Sequence, residues 1–227
     1  MVVKISGSLV YPPRPEYLEG LASILRGAAE KRRIVAVVGG GELARTLIKA
    51  LSGIGAGQGL LDMIGIESSR LNARLLAYSL YPLAPPRPPE SPGEILELSS
   101  LYPIVVAGGL QPGQSTNAVA MVAAELVGAD TVVNLLNGVP GVYRRYPPEP
   151  EEAPASCMST RELWKVVGGY EQVAGRYRLL DHIALSIAER SGIRIVFADG
   201  SDLSTVEAIL LRGEIRGTLV SPSGCEG

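Results

Sequence analysis

The sequence predicts an α/β fold in which a mostly parallel central sheet carries helices on its faces. Two observations lead there. Runs of strong β-propensity alternate with helical periodicity nearly to the end of the chain, and glycine-bearing turns lead repeatedly from a strand into a helix. A third is that 227 residues at 46% hydrophobic content can fill a sizeable core.

Strands are expected at 2–5, 34–38, 103–107, 131–135, 193–198 and 217–220. The first helix, 17–31, puts Leu18, Leu21 and Leu25 on one face at spacings of three and four. Further helices are expected at 42–51, 65–80, 116–127, 160–167, 181–190 and 203–212. Ser159 with Glu162 fits a capping box, and Asp202 or Ser204 can cap the last helix. The proline-rich segments 81–92 and 146–154 cannot continue either kind of element, because proline lacks an N–H and fixes φ. They read as surface connections; the second follows a glycine-rich turn and has the length of a lid or binding loop. The midpoint near Val127 suggests two halves of one sheet, 1–127 and 128–227, one for each substrate.

Composition excludes several classes. A net charge of −2 and a pI near 5.6 argue against a nucleic-acid footprint, and Lys31, Arg32 and Arg33 read as a solvated helix end. No apolar run reaches the length of a membrane span, and the first residues lack the pattern of a secretory signal, so a cytoplasmic protein is expected. Cys157 and Cys225 have no C-x-x-C spacing and suggest neither zinc nor a disulfide framework.

Three turns have the residues for chemistry. Lys4 ends a strand that runs into Ser6, Gly7 and Ser8, where small residues let backbone N–H groups approach a phosphate and the ammonium can bridge its oxygens. A plain β-turn with an exposed lysine is the other reading. Gly39, Gly40 and Gly41 close a strand and open a helix, which makes an anion site of free N–H groups and a positive helix pole, with Arg45 one turn further on. The G-x-G-x-x-G spacing of dinucleotide binding is absent, and the alternative is a tight packing turn. The third turn, Gly108 to Thr116, adds amide and hydroxyl side chains suited to a polar base or sugar. In an open parallel sheet such turns gather at the carboxyl ends of the strands, where ligands bind.

Asp62 can hydrogen-bond a ribose hydroxyl or cap a helix, and Asp181 can cap a helix or stand near metal-bound phosphates. His182, the sole histidine, sits at a helix start and fits a surface or packing role better than catalysis. Trp164 and Met158 read as core or interface residues.

Taken together, VKISGS, VVGGGELAR, LDMIGI with SRLNARLLAYSL, AGGLQPGQSTNAVA, GVPGVY, LLDHIALSIAERS and LLRGEIRGTLV resemble archaeal UMP kinases of the amino acid kinase superfamily, in order and over nearly the whole chain. GGxxPGxST and LLDxxA are the specific parts. The resemblance implies a three-layer α/β/α sandwich, transfer of the γ-phosphoryl from Mg-ATP to UMP in pyrimidine nucleotide biosynthesis, and a homo-hexamer with neither nucleic-acid nor membrane partners. It implies Mg²⁺ arriving with ATP and no protein metal site. Carried over by position, Lys4 stabilises the transferring phosphoryl group, Gly7 and Ser8 cradle ATP phosphates, and Gly41 and Arg45 also contact ATP. Gly40 contacts UMP, Asp62 its ribose, and Leu110, Gln111, Pro112, Gly113, Gln114, Ser115 and Thr116 form the UMP loop. Asp181 matches an aspartate near the phosphates. Residues 1–127 then form the acceptor half and 128–227 the nucleotide-donor half.

One stretch departs from the family pattern. Where that pattern reads T-N-V-D-G-V-Y and then D-P, this chain has Asn137, Gly138, Val139, Pro140, Gly141, Val142 and Tyr143, then Arg144, Arg145, Tyr146 and Pro147. Two donor-side aspartates are thus replaced by Pro140 and Tyr146. ATP is expected to bind in a modified way, with Asn137 in the loop, Tyr143 or Tyr146 as an adenine platform and Arg144 or Arg145 at phosphate. The alternatives are a nucleotide-binding regulatory protein of the same fold or a kinase of another small acceptor. A histidine in the acceptor turn would mark isopentenyl phosphate kinase, but Glu42 follows Gly41 here.

Overall fold

A computed structural model describes residues 1–145, 149, 151–168 and 179–225. Its centre is a seven-stranded sheet of β1 (Val2–Ile5), β2 (Ile34–Val38), β3 (Ile104–Ala107), β4 (Thr131–Leu136), β5 (Cys157–Ser159), β6 (Arg194–Asp199) and β7 (Thr218–Ser221), in the order β3-β2-β1-β4-β6-β7-β5. Neighbours from β3 to β6 pair in parallel; β7 pairs antiparallel to β6 and parallel to β5. β2 and β3 are buried throughout and read as unbroken apolar runs, as strands covered on both faces must.

The described helices are α1 (Gly7–Val10), α2 (Pro15–Ala29), α3 (Gly41–Gly53), α4 (Gln58–Ser79), α5 (Pro92–Leu101), α6 (Thr116–Val127), α7 (Thr160–Val167), α8 (His182–Arg190) and α9 (Leu203–Arg212). Alternation along the strands divides the apolar residues between two cores. Val3 and Ile5 face Leu21, Leu25, Leu76 and Ile209 of α2, α4 and α9. Val2 and Val37 face Ile95, Met121, Leu163 and Leu185 of α5, α6, α7 and α8. The result is three layers, helices over sheet over helices. Lys4 shares the face of Val2, so a lysine ends a row that is otherwise apolar.

The chain runs outward from β1 to β2 and β3, then returns to lay β4 on the other side of β1. Strand order therefore reverses between β1 and β4, and a crevice opens at their carboxyl ends. Six strands and seven helices lie where the sequence predicts, within a few residues at most ends, and the capping box of Ser159 and Glu162 and the cap by Asp202 both form.

Besides the three-residue β5, which no expected strand covers, four features differ. α4 starts at Gln58, seven residues before the expected 65, because the apolar face of Leu61 and Ile66 docks despite the glycines around it. Ser6 to Ser8 form no simple turn but lead into the one-turn helix α1. An unexpected helix, α5, begins at the end of the proline-rich segment: Ser91 accepts from Glu94 N–H and Pro92 occupies the first helical position, where its missing N–H is not needed. Cys157 and Cys225 are disulfide-bonded, with Cα atoms 5.6 Å apart, because the chain after β7 turns back to the edge strand β5. Sequence spacing carries no sign of a pairing made by a return of the chain.

Candidate active site

The turn after β1 and the turn after β2 interlock at the crevice. A Cβ on Gly7 would stand 2.1 Å from Gly39 O and 2.4 Å from Gly41 N, so only glycine lets these two backbones meet. Arg45, one turn into α3, reaches back across the join and donates to Ser8 Oγ at 3.0 Å. The third turn, after β3, is held from the side by α4. Ser69 Oγ accepts from Gly109 N–H at 2.7 Å, Arg70 Nε donates to Gly109 O at 3.0 Å, and Asp62 Oδ2 accepts from Gly113 N–H at 2.8 Å. Ser115 then caps α6, its hydroxyl accepting from the N–H groups of Asn117 and Ala118.

One cavity joins these parts. Lys4, Gly7, Gly40, Gly41, Arg45, Asp62, Gln114, Ser115 and Thr116 line it, with apolar walls from Ala44, Ile48, Leu61 and Ile66. The leading N–H groups of α3 and α6 have no intrahelical partners and give the cavity a positive backbone field. Lys4 adds a full charge. Burial pushes its ammonium down to about 8, and the Asp181 carboxylate works in the opposite direction. Asp181 stands behind Ser115: it caps α8 by accepting from Ala184 N–H, and its other oxygen accepts from Ser115 Oγ. This arrangement can hold phosphate oxygens at a half-buried cation, which is the requirement of phosphoryl transfer.

The sequence profile of the amino acid kinase family matches residues 1–199. The chain belongs to the amino acid kinase family. Over 97% of its length it is 50% identical to a uridylate kinase of Aeropyrum pernix, covering 98% of that protein, and 43% identical to one of Hyperthermus butylicus, covering 97%. Among solved structures it superposes on a uridylate kinase of Archaeoglobus fulgidus with a TM-score of 0.83, at 33% identity over 96% of this chain and 99% of that one. A UMP kinase of Bacillus anthracis superposes with a TM-score of 0.80 at 18% identity, which speaks to the fold alone.

Within this amino acid kinase fold, not every predicted site residue reaches the cavity. Leu110 packs toward the α6 core, while Gln111, Pro112 and Gly113 are exposed at the loop tip. Asp62 lies inside α4, not at its start, so the helix-cap reading is replaced by its bond to Gly113. Asn137 and Tyr143 lie on the loop that leaves β4, which forms a separate group: Gly138 N–H donates to Asp199 Oδ1 at 2.9 Å, and Val142 N–H to Thr218 Oγ1 at 2.8 Å. Tyr146 lies outside the described residues. Arg144 is ion-paired with Glu162, and Arg145 with Glu149 at 2.9 Å. Both arginines expected at phosphate are therefore engaged by carboxylates. His182 stacks beside Trp164, ring centres 5.3 Å apart, which fits a packing role.

Sequence reasoning missed a buried amide chain beneath Lys4. Asn134 faces Lys4 in the β1–β4 register and donates to Asn117 Oδ1 at 3.3 Å, and Asn117 donates to Leu179 O at 3.2 Å. Asn134 Oδ1 is buried without a partner. An asparagine in the run Val132, Val133, Asn134, Leu135 was the available signal, since a polar residue in a fully covered strand needs a reason.

Proposed function

We propose that the chain is a UMP kinase that transfers the γ-phosphoryl group of Mg-ATP to UMP and releases UDP. The observation that carries this reading is the meeting of Lys4 with three strand-to-helix turns in one cavity at the β1/β4 reversal. UMP lies against the α4 side, its phosphate at Gly40 and the start of α3, its ribose near Asp62, and its base toward Gln114, Ser115 and Thr116. ATP phosphates approach from Gly7, Ser8, Gly41 and Arg45, and the nucleotide extends over the 128–227 half toward Asn137 and Tyr143.

The acceptor oxygen of UMP is already ionised near neutral pH, so no protein base is needed. Lys4 neutralises the equatorial oxygens of the group in flight, and the peptide N–H groups of the turns add fixed dipoles that require no reorganisation. No cluster of three His, Cys, Asp or Glu side chains capable of holding a metal occurs among the described residues. The donor set therefore suits a magnesium ion bound mainly by ATP and water, with Asp62 in the cavity wall and Asp181 behind Ser115 as the nearby carboxylates among the described residues. Such an ion supplies further neutralisation of phosphate charge. No helix among the described residues is long and apolar enough to cross a membrane; a cytoplasmic location and a homo-hexamer are what the resemblance to archaeal UMP kinases implies.

The test is phosphoryl transfer from Mg-ATP to UMP, CMP, dUMP and AMP. Selective UDP formation supports the proposal. A second reading, UMP binding without turnover, draws on the carboxylate partners of Arg144 and Arg145. Calorimetric binding of UMP by a protein inactive on all four acceptors would select it.

A further inference from the structure

The segment SRLNARLL after Asp62 is assigned no role in the reading above, yet it places three polar side chains against the turns that build the pocket. α4 carries them within one turn: Ser69, Arg70 and Asn72. Ser69 and Asn72 are 1% exposed, on a helix face otherwise made of Ala73, Leu76 and Ala77. A buried asparagine costs free energy unless its amide is satisfied. Here its Nδ2 donates to Gly39 O at 2.9 Å and to Gly40 O at 3.1 Å. Because both partners are carbonyls, only the NH₂ group can face them, which fixes the amide's orientation.

The consequence falls on the anion turn. Gly39 N–H is taken by Ile5 O, and Gly40 O is shared between Asn72 and Ala44 N–H. With both carbonyls tied to α4, the leading N–H groups of α3 are the ones left to face the cavity. A peptide flip would turn a carbonyl oxygen toward phosphate, and Asn72 is the side chain that opposes it. Ser69 and Arg70 hold the third turn in the same manner, by Gly109 N–H and by the carbonyls of Gly109 and Leu110. One helix therefore sets two of the three turns.

We propose that Asn72 is a positioning residue for phosphoryl transfer, its buried amide aiming the N–H groups of the Gly39–Gly41 turn at the reacting phosphates. The inference rests on the UMP kinase reading. Its test compares Asn72→Ala and Asn72→Asp with Leu76→Ala, which truncates a core side chain one turn further along α4. Asn72→Asp keeps the side-chain volume and replaces the donor by an acceptor, so it carries the test should the alanine variant unfold.

At a temperature where all are folded, the Asn72 variants should lose at least about thirtyfold in kcat for UMP, in the range of lost preorganised donors. Leu76→Ala, although as destabilised by Tm, should stay within about threefold of the wild type, since a cavity in the core touches no donor. Asn72 variants that keep kcat within that limit, beside an active wild type, would overturn the inference alone. A wild type that turns over no UMP would overturn the kinase reading and this inference with it.

Discussion

Ser115 donates a hydrogen bond to Asp181 across 66 residues of chain, and each of the two is the N-cap of its own helix. α6 and α8 are thus tied together at their positive ends, beside Lys4. Ser115→Ala removes a cap and the link in one step. A cap alone is worth about 0.5–2 kcal/mol, so urea unfolding should show a loss near the top of that range. UMP turnover should fall about tenfold or more with it, since the start of α6 lines the pocket.

Lys4 makes the pH dependence specific. Its ammonium titrates near 8 in the folded protein against 10.5 ordinarily, so kcat/KM should lose its charged catalyst on an alkaline limb near pH 8. Asp181 raises the Lys4 value, and Asp181→Asn removes that help while keeping a good helix cap. The limb should then move to lower pH in a pH–rate profile; a limb that stayed put or rose would contradict the assignment.

The same shift has a stability sign. Between about pH 8 and 10.5 the unfolded chain holds a proton on Lys4 that the folded chain has shed. The unfolded state binds more protons there, so this group's contribution to stability rises with pH through the window, by up to about 3 kcal/mol. Urea midpoints measured across the window should climb less steeply in Lys4→Met than in the wild type.

Glycine substitutions should separate site from scaffold. Gly7→Ala places a methyl group 2.1 Å from Gly39 O and should abolish activity by forcing the two turns apart. Gly53→Ala, in α3 with nothing within 4 Å of the new Cβ, should be neutral or stabilise by up to about 1 kcal/mol through lost freedom of the unfolded chain.

The disulfide closes the chain over a separation of 68 residues. Cys225→Ser, or reduction, should lower stability by about 2–4 kcal/mol, read as a lower urea midpoint. Turnover at moderate temperature should be unaffected, because neither cysteine lines the cavity.

Much of this molecule was legible in its residues. The strands of the parallel core are short Val/Ile runs that no helix period explains, and Ser159, Asp181 and Asp202 mark helix starts by chemistry alone. The start of α4 was not, because Gly59 and Gly65 lie inside the helix, where tertiary packing overrides a propensity cost of about 1 kcal/mol each. α5 hid behind a proline-rich stretch, although Ser91, Pro92 and Glu94 spell a helix start. β5 has three residues, too few to show a period. Within the site, the residues that touch the cavity were visible as glycine turns and a lysine. Of the amides behind them, Asn72 and Asn117 bond across long sequence separations and leave no local pattern, whereas Asn134 stood out only as the polar residue of an apolar strand.

The most direct test of the account is to measure UMP binding and UMP turnover together in the wild type and in Lys4→Ala. We predict a wild type that makes UDP from Mg-ATP, and a variant that still binds UMP by calorimetry within about tenfold while its kcat falls by about 10²-fold or more. A Lys4→Ala protein that turns over UMP at nearly the wild-type rate would contradict the claim that this half-buried ammonium is the electrostatic centre of the reaction.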